Sequence, residues 1–225
     1  MKVLKFGGSS VANAGNIEKV AAIVKQAAME HTCVVVLSAM QGTTDGLIEM
    51  GRTAERGDDG FIAKLAEIRE RHVEAIHALF NNGDTSTVSD FVDAILHELE
   101  SITEGIRRVR ELTPKTLDRI LSFGEIASSK MLAAKLAADG VENEWHDSRL
   151  LIRTDSNHGF AAVDFAETED RIVGAIGKSA VRLHIVPGFI ASDAGGYTTT
   201  LGRGGSDYTA AIFAAALDAE ILEIW

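Results

Sequence analysis

Two short segments of this sequence carry residue types able to act on an anion. Lys5-Phe6-Gly7-Gly8-Ser9-Ser10 sets one lysine before two glycines, and Leu201-Gly202-Arg203-Gly204-Gly205-Ser206-Asp207-Tyr208 sets one arginine among three. Glycines let the main chain approach a ligand closely and present its N–H groups, which suits phosphate when a helix follows. The first segment is not a Walker A loop, because no Gly-Lys-Ser/Thr follows at the right spacing, and it lacks the Gly-x-Gly-x-x-Gly of a dinucleotide site. For that segment a purely structural turn and a phosphate site remain equal readings. In the second, a long cation surrounded by flexible backbone favours an anion clamp.

The rest of the composition sharpens this reading. The formal net charge is −11, so nucleic acids and anionic membranes meet a repulsive field and neither is an expected partner. In such a chain a cation inside a glycine loop is placed for a local purpose. No run approaches the roughly 18 apolar residues of a membrane span, and the start Met1-Lys2-Val3-Leu4-Lys5-Phe6 lacks the form of a signal peptide, so a cytoplasmic location is expected. The single cysteine, Cys33, excludes an internal disulfide and a zinc cluster. His146, His158 and His184 lie apart without ligand spacing, so no metal site is expected.

The elements that must position these loops follow from periodicity. Residues 2 to 6 read as a strand, followed by the first glycine turn and a helix carrying Ile17, Val20, Ala21, Val24, Ala27 and Ala28 at helical spacing, with Asn13 as its N-cap. The β-branched run at 33 to 37 reads as a strand buried on both faces. Two amphipathic helices follow. Residues 61 to 80 place Ile62, Leu65, Ile68, Ile76 and Leu79 on one side; residues 87 to 112 do so with Val88, Phe91, Ile95, Leu99, Ile102, Ile106 and Val109. They read as an insertion spanning about 61–112. Thr113-Pro114 ends the second and starts another helix, and a further Ala-rich helix is expected over 125 to 138 after Phe123-Gly124. Strands return at 141 to 146, 182 to 191 and 219 to 225, with helices near 166 to 176 and 207 to 217; Ser206 is a candidate N-cap of the last, and Asp193-Ala194-Gly195-Gly196 is a turn. Alternating strands and helices imply an α/β domain, a three-layer αβα sandwich with a mainly parallel sheet. Two glycine loops at the carboxyl ends of neighbouring strands would hold two anionic ligands end to end, as phosphoryl transfer between small molecules requires.

Beyond this point a resemblance carries the reading. Lys5-Phe6-Gly7-Gly8-Ser9-Ser10-Val11-Ala12 resembles the opening signature of aspartokinases, members of the amino-acid kinase family with its carbamate kinase-like fold. Leu201-Gly202-Arg203-Gly204-Gly205-Ser206-Asp207-Tyr208-Thr209-Ala210-Ala211 is similar to their second signature. Val36-Leu37-Ser38-Ala39, Gly42-Thr43-Thr44, Ser122-Phe123-Gly124-Glu125 and Pro187-Gly188-Phe189-Ile190 agree in order along the whole chain. The resemblance implies transfer of the γ-phosphoryl group of ATP to the side-chain carboxylate of L-aspartate with Mg²⁺, in lysine, threonine and methionine biosynthesis. It implies that Lys5 neutralises the transferring group, that Gly7, Gly8 and Ser9 contact the phosphates, and that Asp207 organises the charges around them. Ser38, Thr44, Glu125, Phe189, Arg203 and Ser206 would hold aspartate, with Glu125 on its ammonium and Arg203 on its α-carboxylate. The attacking carboxylate is ionised near neutral pH and needs no general base. A homo-oligomer is expected.

Other readings stay open: a kinase for glutamate or acetylglutamate, or an amino-acid-binding module without turnover. In aspartokinases the strand ending in Glu-Ile-Trp is followed by a Thr-Asp-Val-Asp-Gly segment, further nucleotide-binding strands and regulatory domains, sometimes fused to a homoserine dehydrogenase. Residues 1–225 stop at Ile221-Leu222-Glu223-Ile224-Trp225. The chain is therefore expected to be the N-terminal part of a longer enzyme, truncated on the C-terminal side of the sheet and inactive alone.

Overall fold

The computed structural model describes residues 1–80 and 85–225. In chain order the elements are β1 (Lys2–Phe6), α1 (Ala14–Glu30), β2 (Cys33–Leu37), α2 (Thr43–Glu55), α3 (Phe61–Phe80), α4 (Ser86–Val109) and α5 (Pro114–Ala138). There follow β3 (Glu144–Trp145), α6 (Ser148–Leu151), β4 (Arg153–Thr154), α7 (Phe165–Ile172), β5 (Leu183–Pro187), β6 (Ile190–Asp193), β7 (Thr198–Thr200), α8 (Gly205–Ala216) and β8 (Ile221–Ile224). The main sheet has the order β3-β5-β2-β1-β8, and every pairing in it is parallel. A smaller sheet, β4-β6-β7, stands beside it.

The period-2 geometry of the strands divides the core in two. Leu4, Phe6, Cys33, Val35, Leu37, Leu183 and Ile185 face a helical layer built from α1 to α5. Val3, Val34, Val36 and Val186 face the opposite way, onto α8, α7, α6 and the small sheet. All five residues of β2 are fully buried, which is why that strand reads as an unbroken apolar run. Burying each such side chain contributes about 1.5–3 kcal/mol. The three-layer αβα architecture follows from these two faces. Burial also pushes the Cys33 thiol up, with Lys2 and Arg182 opposing, so the cysteine behaves as a core residue.

Local signals place several helix ends. Asn13 accepts from the Asn16 N–H and caps α1, and Thr113 accepts from the Thr116 N–H ahead of Pro114 at the start of α5. Asp193 accepts from the N–H groups of Gly195 and Tyr197 and closes the turn between β6 and β7. The Asp164 carboxylate is the cap of α7, accepting from Glu167 N–H.

Other expectations are corrected. The helix expected over 125 to 138 is the second half of α5, which runs unbroken from Pro114; Gly124 is not a break but a contact, since a Cβ there would lie 2.6 Å from Ala39 Cβ. The strand expected over 182 to 191 is two strands in different sheets, separated at Phe189, whose φ is +67°. The strand expected over 141 to 146 shrinks to two residues. α8 starts at Gly205 with Gly204 as its N-cap (φ +75°), so Ser206 lies inside the first turn. In the helices over 61–80 and 87–112, Ile62 and Val109 point outward, while Phe61, His72, Val92 and Leu96 are buried instead. α2, α6, β4 and β7 had no clear sequence signal. The stretch 61–112 includes residues 81–84, which lie outside the described residues; its helices α3 and α4 share one continuous core with α1, α2 and α5.

Candidate functional site

The ends of the three central strands lie on one line, because Phe6 is in register with Leu37 and Leu37 with Pro187. The loops leaving those ends are tied to one another. Ser38 N–H donates to Phe6 O, Gln41 N–H to Gly8 O and Gly188 N–H to Leu37 O. The Ser128 hydroxyl of α5 donates to Ser38 O at 2.8 Å. Above these ends lies a cavity of about 430 Å³. Lys5, Gly8, Ser38, Thr44, Glu125, Phe189, Arg203, Ser206 and Asp207, all singled out from the sequence, line it together. Gly7 and Ser9 do not: Gly7 N–H is engaged by Trp225 O at 3.0 Å, and Ser9 is exposed outside the cavity.

Lys5 is the last-but-one residue of β1 and is buried, with its ammonium 2.6 Å from the Asp207 carboxylate in the first turn of α8. Arg203, by contrast, is exposed, and no ion pair or hydrogen bond holds it among the described residues. Its loop is shaped by Gly202, which has φ +73° and where a Cβ would fall 2.3 Å from the Phe160 ring. No other residue fits that combination of left-handed backbone and close approach.

Glu125 sits mid-helix in α5, buried, with Oε2 lacking a partner among the described residues. Burial pushes its carboxyl up to about 8, and the Ala39 backbone hydrogen bond only partly opposes this. An acceptor left unpaired in a buried cavity wall calls for a donor from outside the protein, and a cation would reverse the desolvation effect and restore the carboxylate.

Phe189 is a bulky residue held in the left-handed region, a costly conformation that persists only where neighbours over-determine it. Its N–H donates to the Thr209 hydroxyl at 2.9 Å and its carbonyl accepts from Leu201 N–H, while its ring closes on Gly205. Sequence reasoning missed Thr209 as a support, though it lies one helical turn after Ser206. Asp45, in the first turn of α2, also lines the cavity and was missed because α2 itself was not recognised. Asp118 was missed too: buried in α5, it accepts from the Thr200 hydroxyl at 2.7 Å and from Gly159 N–H, anchoring the strand that leads into the Leu201–Asp207 loop.

Lysine, aspartate, glycine and an arginine without a partner among the described residues thus meet in one cavity above the carboxyl ends of the parallel strands of an αβα domain, the place where such folds hold their ligands. The chain belongs to the amino acid kinase family, whose model matches residues 1–225. It is 33% identical over 226 residues to the chloroplastic bifunctional aspartokinase/homoserine dehydrogenase 1 of Arabidopsis thaliana, covering 99% of this chain and 24% of that protein. It is 34% identical over 229 residues to the lysine-sensitive aspartokinase 3 of Escherichia coli, covering 99% of this chain and 48% of that one. The crystal structure of E. coli aspartokinase III in complex with aspartate and ADP superposes with a TM-score of 0.89 at 32% identity, covering 100% of this chain and 48% of the other. The chain thus spans about half the length, or less, of the relatives it matches, and the resemblance read from its motifs points to the same proteins.

Proposed function

We propose that this chain is the catalytic part of an aspartate kinase, which transfers the γ-phosphoryl group of ATP to the side-chain carboxylate of L-aspartate. The observation that carries this reading is the buried Glu125 carboxylate, whose Oε2 has no partner among the described residues, in one cavity with Lys5 and with Arg203, which also lacks a partner among them. An amino acid with two carboxylates supplies what each lacks: an ammonium for Glu125, an α-carboxylate for Arg203, and a nucleophile directed toward the phosphate near Lys5 and Gly8. The complex of the E. coli relative with aspartate and ADP supports both ligand classes.

In this reading Glu125 and Arg203 fix the substrate by charge at two points, and Ser38, Thr44, Phe189 and Ser206 shape the space between them. The side-chain carboxylate is already ionised, so no protein group removes a proton from it. Lys5 stabilises the charge that spreads over the transferring group, and Asp207 holds that lysine in place. The acidic Asp207 and Asp45 on the cavity wall fit a site that also takes Mg²⁺, which would screen the phosphate oxygens. We further read the protein as a cytoplasmic homo-oligomer of the lysine, threonine and methionine pathway, these 225 residues being part of a longer polypeptide in which residues 61–112 form a helical insertion.

The test is ADP release measured in a coupled assay with aspartate, glutamate and acetylglutamate, on these 225 residues and on the chain extended beyond Trp225. The reading requires aspartate-dependent turnover in the extended chain at about 1–100 s⁻¹. Equal or higher kcat/KM with glutamate or acetylglutamate would transfer the protein to another amino-acid kinase, and aspartate binding without turnover in the extended chain would make it a binding module.

A further inference from the structure

Away from the cavity, the edge of the main sheet gathers three groups able to ligate a metal. Glu144 and His146 alternate along β3 and its exit, so their side chains leave the same face of the sheet. His184 on β5 is the register partner of Glu144. This brings His146 Nε2 within 3.0 Å of His184 Nδ1, with Glu144 Oε2 at 3.6 Å from each. The sequence reading had these histidines scattered. Parallel pairing of two strands 38 residues apart overturns it for His146 and His184, whereas His158 goes to Asp118.

We propose that Glu144, His146 and His184 form a site for a zinc-class divalent ion that fastens the two-residue strand β3 to β5. Around a tetrahedral ion with bonds of about 2.1 Å, neighbouring ligand atoms stand about 3.4 Å apart. The three separations here, 3.0, 3.6 and 3.6 Å, match one triangular face of that tetrahedron without movement of the backbone. Two imidazoles and one carboxylate select zinc-like ions over Mg²⁺ or Ca²⁺, which prefer all-oxygen sets. The Ser179 hydroxyl donates to Glu144 Oε2 at 3.1 Å and helps to hold that carboxylate in place. Glu144 is 44% exposed whereas His184 is fully buried, so the open side of the triangle reaches solvent and leaves a fourth position to water. None of the three lines the cavity at the strand ends, so this site is separate from the proposed kinase chemistry.

The experiment is Zn²⁺ binding by isothermal titration and native mass spectrometry on the EDTA-treated protein, with thermal unfolding as a second readout. One Zn²⁺ per chain is expected, and at a hundredfold excess over Kd the unfolding midpoint should rise by about 5–10 °C. His146→Ala and Glu144→Gln, both at partly exposed positions and each checked for an unchanged circular dichroism spectrum, should lose the bound ion and the rise. His97→Asn, on an exposed helix face, should keep both. Co²⁺ should give the intense visible bands of a four-coordinate site in the wild type and in His97→Asn, but not in His146→Ala or Glu144→Gln. The proposal is overturned if no Zn²⁺ binds to the wild type, or if His146→Ala and Glu144→Gln bind it as well as the wild type does.

Discussion

The two glycine loops look alike in the sequence and behave differently in the structure. In the first, Gly7 N–H is taken by Trp225 O, Ser10 N–H returns to Gly7 O and Gly8 O receives Gln41 N–H, so most of the loop is bound into neighbouring chain and only Gly8 reaches the cavity. Its lysine is buried and paired with Asp207. In the second, Gly202 and Gly204 take left-handed backbone, the loop stands outward, and Arg203 is left without an ion pair among the described residues. The first loop thus fixes its charge against the protein itself, whereas the second leaves its charge without a partner among the described residues; in the proposed function the second is the half that would read the substrate.

That contrast is testable in order of expected effect. Lys5→Ala should lower kcat about 100- to 1,000-fold in the extended chain, because a charge used mainly in the transition state is lost. Unchanged thermal unfolding would separate this from misfolding, and a near-normal kcat would make Lys5 a structural residue only.

Arg203→Ala should raise the aspartate KM by about 30-fold or more while leaving the ATP KM within about threefold, as for loss of one partner in a desolvated charge contact. If the aspartate KM stays within threefold, the outward loop does not read the substrate.

Glu125 adds a pH dependence. Its folded-state value of about 8 lies above the ordinary 4.5, so the folded state binds more protons than the unfolded state between those values. Stability is therefore fullest below about pH 4.5 on this account and declines as pH rises toward 8. Glu125→Gln should remove that decline and be more stable than the wild type at pH 8.5 by roughly 2 kcal/mol, read by urea unfolding. Saturating aspartate should flatten the wild-type slope, since its ammonium favours the carboxylate. A wild-type slope identical to that of Glu125→Gln would mean the carboxylate is not desolvated.

The smallest effect distinguishes neighbours within the first loop. Gly8→Ala would bring a Cβ to 3.0 Å from Ala39 O and should reduce kcat/KM about tenfold through displacement of the cavity wall. Gly7, at φ −74° with its nearest contacts at 3.4 Å, should accept alanine with kcat/KM within about twofold of wild type. Equal losses at both positions would mean that Gly7 touches the phosphates after all.

Much of the architecture was legible because its signals are local. A five-residue run rich in β-branched valine reads as a strand buried on both faces, Asn13 and Thr113-Pro114 mark helix starts through hydrogen bonds spanning three residues, and the motif residues come from a few short contiguous stretches. Those determinations needed nothing beyond neighbouring residues. What the tertiary structure decided depends on contacts between distant segments: that Gly124 is a point of close packing against Ala39, that Gly7 is occupied by Trp225, that Phe189 is held in a strained conformation by Thr209, and that Glu125 is buried with Oε2 lacking a partner among the described residues. The same holds for Glu144, His146 and His184, whose spacing along the chain carries no ligand pattern. Sequence spacing reports geometry only within one element, whereas strand register, which juxtaposes residues far apart in the chain, is set by the packing of both sheet faces.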